Sequence, residues 1–172
     1  ISAVHFLRDV GLGKKPDLSG QEVAIIGGGN VSMDAVRTAI RLGAKKVSIV
    51  YRRRIADMTA LPDEIEGAIA EGVEVQVLKA PSRIRPTGEE DLFIPCTTLI
   101  VAIGQDIESG HFEQADFPVM RGRLMSAKNA GFENIPGVFT GGDCATGPSS
   151  VIKAIAAAKV IAANIDEYLG YH

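Results

Sequence analysis

The stretch EVAIIGGGNVS, Glu22 to Ser32, constrains this chain more than any other. An unbroken apolar run, Val23 to Ile26, leads straight into three glycines. Such a run is a strand covered on both faces, as strands are inside a parallel sheet. A parallel neighbour can be reached only through a crossover, normally a helix. The next residues supply one: Val36, Ala39 and Ile40 recur at helical spacing over residues 31–42, and Gly43 ends the run.

The alternation then repeats. Residues 47–51 form a second strand, and Pro62 suits the first turn of another helix with an apolar stripe of Ile65, Ala68 and Ile69 before Gly72. VEVQVL alternates strictly and makes a third strand. Strand, helix, strand, helix, strand predicts βαβ units on a parallel central sheet, an α/β fold. From Lys79 to Cys96 the pattern decays into Pro, Arg, Thr, Gly and acids, until TTLIVAIG restores a buried strand. GRLMS, GVFTGGD and a long helix from about Ser150 to Tyr168 close the chain. That helix is alanine-rich, VIKAIAAAKVIAANI, so its backbone can pack closely on a neighbour.

Ahead of the glycines, SAVHFLRDV reads as a helix ending at Gly11, and GLGKKPDLSG has linker chemistry. The expected organisation is a linker helix and turn over residues 1–20, a nucleotide domain over 21–105 and a further piece over 106–172. The chain starts at Ile1 rather than Met, as if cut from something longer.

Composition removes several function classes. The 172 residues are 46% hydrophobic and 23% charged, ordinary for a soluble globular protein, and the net charge of -3 argues against nucleic acid or an anionic membrane as partner. No apolar run reaches the roughly 18 residues a membrane helix needs, and no signal peptide is expected. Cys96 and Cys144 form neither a disulfide framework nor a CxxC pair, and read as reduced thiols of a cytoplasmic protein. His5, in the first helix, His111, in a loop, and His172, at the end, lie away from any expected site. No catalytic side chain and no metal ligand is expected.

Gly27-Gly28-Gly29-Asn30-Val31-Ser32 fits G-x-G-x-x-G/A, with serine as the small third residue. Gly27 permits a tight turn, Gly29 lets the backbone approach a pyrophosphate, and Ser32 lets helix and strand pack closely. The helix N-terminus then points free N–H groups at the phosphates. Taken alone the motif is weak; following a buried strand and opening an amphipathic helix, it predicts dinucleotide binding. About 20 residues further on, where an acid would accept from the 2′-hydroxyl of NAD, the chain has Tyr51-Arg52-Arg53-Arg54. A guanidinium there can bind a 2′-phosphate bidentately, so Arg52 and Arg53 are expected to hold NADP(H). The other reading of an arginine run is a solvated loop tip, and Arg54 is assigned to it. Tyr51 either packs on the adenine or caps the strand.

The ordered set GGGN, YRR, AIGQ and GGD resembles the small subunit of NADPH-dependent glutamate synthase and its relatives, over nearly the whole chain. These relatives include the flavin module of dihydropyrimidine dehydrogenase and the NADP-binding subunit of electron-bifurcating transhydrogenase. The resemblance implies a three-layer ββα Rossmann-like FAD/NAD(P)-binding fold, with an NADPH domain inserted into an FAD domain. It implies hydride transfer from NADPH to FAD, with electrons passed to an iron–sulfur domain or a large subunit. It places Gly27, Gly28, Gly29, Asn30 and Val31 at the NADPH pyrophosphate and Arg52 and Arg53 at the 2′-phosphate. Ile103, Gly104 and Gln105 fall beside the nicotinamide, and Gly142 and Asp143 match the FAD signature. Ser149, Ser150 and Val151 open the last helix toward the flavin pyrimidine edge.

Two departures accompany the resemblance. The family's FAD domain begins with its own GxGxxG unit, which this chain lacks, so the FAD site is expected to be incomplete here and the missing N-terminal FAD half to be a partner. The segment between KAPSRI and DLFIPCTTL is too short for the family's β-meander, as if residues were lost near Ile84-Arg85. A short-chain dehydrogenase is excluded, because Tyr51, Tyr168 and Tyr171 have no lysine four residues on, and a disulfide reductase is excluded by the missing cysteine pair. The alternative function is a non-catalytic NADP(H)-binding or sensing domain.

Overall fold

The computed structural model describes residues 1–86 and 93–170, and the chain divides into two compact units, Ile1–Gly104 and Gln105–His172. In the first, strands β1 (Glu22–Ile26), β2 (Lys46–Tyr51), β3 (Glu74–Val77) and β4 (Thr98–Val101) form one parallel sheet ordered β3-β2-β1-β4. Helix α1 (Ala3–Gly11) precedes β1, α2 (Asn30–Arg41) joins β1 to β2, and α3 (Pro62–Ala70) joins β2 to β3. The α/β class with a parallel central sheet is the one the sequence pattern predicts.

Alternate strand residues Val23, Ile25, Val47, Ile49 and Ile100 share a core with Met33, Ala35, Val36 and Ala39 of α2. The residues between them, Ala24, Ser48 and Val50, are buried too. Burial on both faces explains why β1 and β2 read as nearly continuous apolar runs. Ala3 and Phe6 of α1 and Leu18 of the following turn belong to the same core. Helix α3 buries Ile65 and Ala68, but Ile69 of the expected stripe is 46% exposed. The helix packs on α2, and that packing leaves Ile69 largely uncovered. Arg37 of α2 ties the pair from outside, with Nε 2.8 Å from Glu71 and Nη1 2.8 Å from Glu64. Those two carboxylates, Glu71 first, push the guanidinium above its ordinary pKa.

Strands β1, β2 and β3 are added in one direction, and β4 returns to the other side of β1. The sheet order therefore reverses between β1 and β4. Open α/β sheets bind ligands outside the strands' carboxyl ends at such a reversal. Between β3 and β4 no strand forms among the described residues; residues 87–92, within the segment expected to be shortened, lie outside them.

The second unit holds short elements and one long helix. Helix α4 (Gly110–Gln114) contains His111, which the sequence reading puts in a loop; its ring lies 4.4 Å from that of Phe112. Strands β5 (Val119–Met120) and β6 (Arg123–Leu124) form a hairpin whose turn residues Arg121 and Gly122 both have positive φ, 52° and 74°. That is the turn geometry that matches strand twist in a two-residue hairpin. Helix α5 (Asp143–Thr146) is one turn, and α6 (Val151–Leu169) ends at Gly170 in the left-handed region. Within this unit α6 meets its neighbours through a few residues: Ile161 over Gly141, Tyr168 edge-on to Phe139, and Asn164 donating to Asn129 O at 2.8 Å. None of its residues is buried, and Val151, Ile152, Ile155 and Val160 are exposed. No helix of the described residues is long and apolar enough to cross a membrane.

The Gly141 contact has a measurable consequence. A Cβ at Gly141 would overlap Ile161 Cδ1. Gly141→Ala is expected to lower stability by about 1–3 kcal/mol in urea denaturation, as overpacking does. Adding Ile161→Val removes the colliding methyl and should recover part of that loss.

Candidate dinucleotide site

Gly27 follows β1 directly, with its N–H donating to Val50 O at 3.1 Å. Its φ is +147°, and a Cβ there would overlap Ala102 O, at the end of β4. The turn therefore sits against the sheet's reversal, and only glycine fits. Gly28 is equally confined: its Cβ would lie 2.6 Å from the Tyr51 ring. Gly29 is the N-cap of α2 in extended conformation, and its carbonyl accepts from Ser32 N at 2.9 Å and Met33 N at 3.3 Å. The amides of Gly28, Gly29, Asn30 and Val31 find no protein acceptor among the described residues. Four unpaired N–H groups at the start of a 12-residue helix are what an anion needs.

The residues present fit a pyrophosphate on that observation. Val31 is 41% exposed at the mouth of the turn. The Asn30 side-chain Oδ1 accepts from Leu61 N at 2.9 Å, which holds the side chain toward the start of α3. Ser32 is fully buried as the packing role demands, yet its hydroxyl has no partner.

A second layer of bonds folds residues 54–61 onto the glycine turn. Gly28 O accepts from Thr59 N at 3.0 Å and Ala60 N at 3.1 Å. Tyr51 is 8% exposed, and its hydroxyl donates to Asp57 O at 2.8 Å. Of the two roles open to Tyr51, the strand-end one is realised: the ring supports Gly28 and the hydroxyl anchors the next loop.

Arg52 and Arg53 are exposed just past β2, beside the glycine turn. Arg53 lies 5.8 Å from the Tyr51 ring centroid; Arg52 has no hydrogen bond or ion pair among the described residues. Arg54, expected to be solvated only, is instead paired with Asp57: Nε donates to Oδ2 at 3.1 Å and Nη2 to Oδ1 at 3.4 Å. The Arg54 backbone N–H donates to the same carboxylate at 3.2 Å. These bonds, the guanidinium's first, hold the Asp57 carboxyl below its ordinary pKa, so it is ionised at neutral pH. The sequence reading passed over Asp57; the signal was an arginine and an acid three residues apart beside a short turn (Ile55–Asp57).

On the far side of the turn, Ala102 N donates to Ile26 O at 2.8 Å, carrying β4 past Gly27. Ile103 follows, 74% exposed, then Gly104 with φ +106°, closing the first unit, and exposed Gln105 opens the second.

In the second unit, Gly142 has φ +67° and caps α5. Asp143 accepts from Ser149 N at 3.2 Å, which draws the Gly-Gly-Asp turn onto the approach to α6. Cys144 fastens the same turn from below, donating to Gly141 O at 3.1 Å and lying 3.3 Å from Thr140 Oγ1. Ser150 is the N-cap of α6 without a side-chain capping bond, and Val151 at the first helical position is 75% exposed. Asp143, Ser149, Ser150 and Val151 are thus brought together on one exposed rim.

Two clefts, of about 460 and 400 Å³, are lined by residues such as Phe132 and Tyr168 in one and Phe6 and Leu18 in the other. Neither lining includes an expected site residue. The glycine turn is the stronger candidate, because it has unpaired amides and adjacent cations where the clefts have mostly apolar wall. Among the described residues no group of His, Cys, Asp and Glu could hold a metal.

Residues 2–158 match the family described as pyridine nucleotide-disulphide oxidoreductase. The chain is 34% identical to the NADP(+)-dependent formate dehydrogenase subunit beta of Moorella thermoacetica, across 98% of this chain and 28% of that one. It is 31% identical to the glutamate synthase [NADPH] small chain of Azospirillum brasilense, across 87% of this chain and 37% of that one. The chain therefore spans well under half the length of these curated relatives. The first alignment covers 205 positions, more than the 172 residues here, so the relative carries residues without counterpart in this chain. Among solved structures, bacillithiol disulfide reductase of Bacillus cereus superposes with a TM-score of 0.71 at 18% identity, over 90% of this chain and 52% of that one.

The confinement of Gly28 is testable. Gly28→Ala is expected to displace the Tyr51 ring and lower stability by about 1–3 kcal/mol in urea denaturation. An unchanged urea midpoint would mean the ring yields without cost.

Proposed function

The chain belongs to the pyridine nucleotide-disulphide oxidoreductase family, whose members bind FAD and NAD(P)H, and from that premise we propose that it is the NADPH-binding part, with one piece of the FAD-binding part, of a flavin oxidoreductase. The NADP(H) portion is residues 21–105 and the flavin portion residues 106–172. The observation that carries the reading is the pairing of two features at neighbouring strand ends. Four unpaired backbone amides, of residues 28–31, follow β1, and two exposed arginines, Arg52 and Arg53, follow β2.

The amides of Gly28, Gly29, Asn30 and Val31 hold the pyrophosphate, helped by the positive end of α2. Arg52 and Arg53 clamp the 2′-phosphate. Ile103, Gly104 and Gln105 follow β4, on the other side of β1, and border the nicotinamide end. Gly142 lets the chain turn tightly enough for Asp143 to face a flavin hydroxyl or phosphate group. The bond from Ser149 fixes the Asp143 carboxylate in place for that purpose. Ser150 and Val151 present the amino end of α6, which favours negative charge on the flavin's pyrimidine edge. When bound, NADPH supplies a hydride and FAD accepts it. This chain's residues contribute position and dryness, and no side-chain acid or base is required of them. Two relatives are named as a subunit or a chain of larger enzymes, which supports onward transfer to an iron–sulfur or large-subunit partner.

For the 172 residues by themselves a second reading, NADP(H) binding without turnover, is favoured by the single glycine motif. Flavin content separates the two, since only an oxidoreductase requires it.

Calorimetric titration of the chain should give NADPH tighter than NADH by roughly tenfold or more, the worth of a charge-assisted phosphate contact. Arg52→Ala/Arg53→Ala should erase the difference. Equal affinity for the two nucleotides in the unaltered protein would overturn the NADP(H) assignment. Independently, Asp143→Asn in the full-length protein should weaken FAD retention by roughly tenfold, read as flavin absorbance per polypeptide after gel filtration.

A further inference from the structure

The arginine turn contains its own antagonist. Asp57 is the one carboxylate in residues 52–59, and it stands in the loop that starts with Arg52 and Arg53. A carboxylate near a 2′-phosphate repels it, and a carboxylate near a 2′-hydroxyl accepts from it. Left to itself, Asp57 would therefore weaken NADPH and help NADH.

Asp57 cannot withdraw. Its carbonyl accepts from the Tyr51 hydroxyl at 2.8 Å, and its N–H donates to Arg54 O at 3.0 Å. Two residues on, Thr59 and Ala60 are bonded to Gly28 O. The backbone carrying the carboxylate is thus fixed against the glycine turn.

Arg54 meets that carboxylate with a two-pronged grip, Nε on one oxygen and Nη2 on the other, while its backbone N–H takes the first oxygen as well. Both oxygens of Asp57 are engaged, and the charges of Arg54 and Asp57 cancel locally. Arg53 lies near enough for its charge to act on Asp57 too, but Arg52 and Arg53 are left without an ion pair among the described residues.

We propose that Arg54 sets selectivity for NADPH over NADH without touching the nucleotide, as a positioning residue that occupies Asp57 and leaves Arg52 and Arg53 unopposed at the 2′-phosphate. This rests on the NADP(H) reading above. It assigns the three consecutive arginines two different tasks: two bind, and the third silences an acid. An exposed pair of this kind adds little to stability, so its removal should leave the fold intact.

The test is a cycle of four proteins, the unaltered chain, Arg54→Ala, Asp57→Asn and Arg54→Ala/Asp57→Asn, each titrated with NADPH and with NADH. Arg54→Ala should weaken NADPH by about five- to tenfold and leave NADH unchanged or tighter, as expected for an uncovered carboxylate several ångströms from a phosphate. The double variant should return NADPH to within about twofold of the unaltered chain, because the acid that Arg54 restrained is gone. A double variant as weak as Arg54→Ala would show that Arg54 contacts the phosphate itself, and the proposal falls. Equal losses for both nucleotides in Arg54→Ala would make the pair a loop brace, which also overturns it. No preference for NADPH in the unaltered chain would remove the underlying site reading, an outcome distinct from a preference that Asp57→Asn fails to rescue.

Discussion

The close approach of backbone to backbone at Gly27, and of ring to backbone at Gly28, is the constraint on which the first unit depends. Gly27 lies where β4 passes β1, and Gly28 lies on the face of Tyr51. Each side chain that is absent admits a neighbour: the Ala102 carbonyl in one case, a buried aromatic ring in the other. Because Tyr51 ends β2 and Ala102 follows β4, the turn is braced by the two strands that flank β1. The loop after β2 is then fastened to the same turn through Gly28 O and Asn30 Oδ1. A single turn of three glycines thereby fixes the end of the sheet, the entry of α2 and the approach to α3.

The second unit solves a similar problem with fewer contacts. Gly141 accepts Ile161 against its backbone, Gly142 takes a positive φ, and Asp143 holds the amide of Ser149. The result is a short turn strapped to the start of a long helix. Elsewhere α6 is lightly covered, and its alanines, which suit close packing, meet little within this unit.

The fold was readable to the extent that burial leaves a pattern. Strands β1 and β2 are covered on both faces, so their residues are apolar without a break; α2 has one buried side, so its residues are periodic. Ile69 misled the same reasoning, because a stripe of apolar residues does not say how wide the neighbouring surface is. The glycine motif was legible since Gly27 and Gly28 leave no room for a side chain. The pairing of Arg54 with Asp57 was not, because an ion pair at exposed positions has no burial signature and depends on the backbone turn between the partners. The same holds for Tyr51: the sequence allowed two roles, and the choice was made by a hydrogen bond to a carbonyl six residues away.

Between Tyr51 and Arg52 the chain crosses from the interior to solvent in one step. Tyr51 is held by packing, whereas the arginines beyond it are exposed, Arg53 lying across the Tyr51 ring from outside. Folding therefore constrains the residue on one side of that bond far more than those on the other. On the NADP(H) reading proposed above, exchanging Arg52 and Arg53 for acids would change the preferred nucleotide and leave the scaffold that presents them in place. Under that reading, cofactor preference is free to drift at a pace of its own, independent of the slow turnover of the interior.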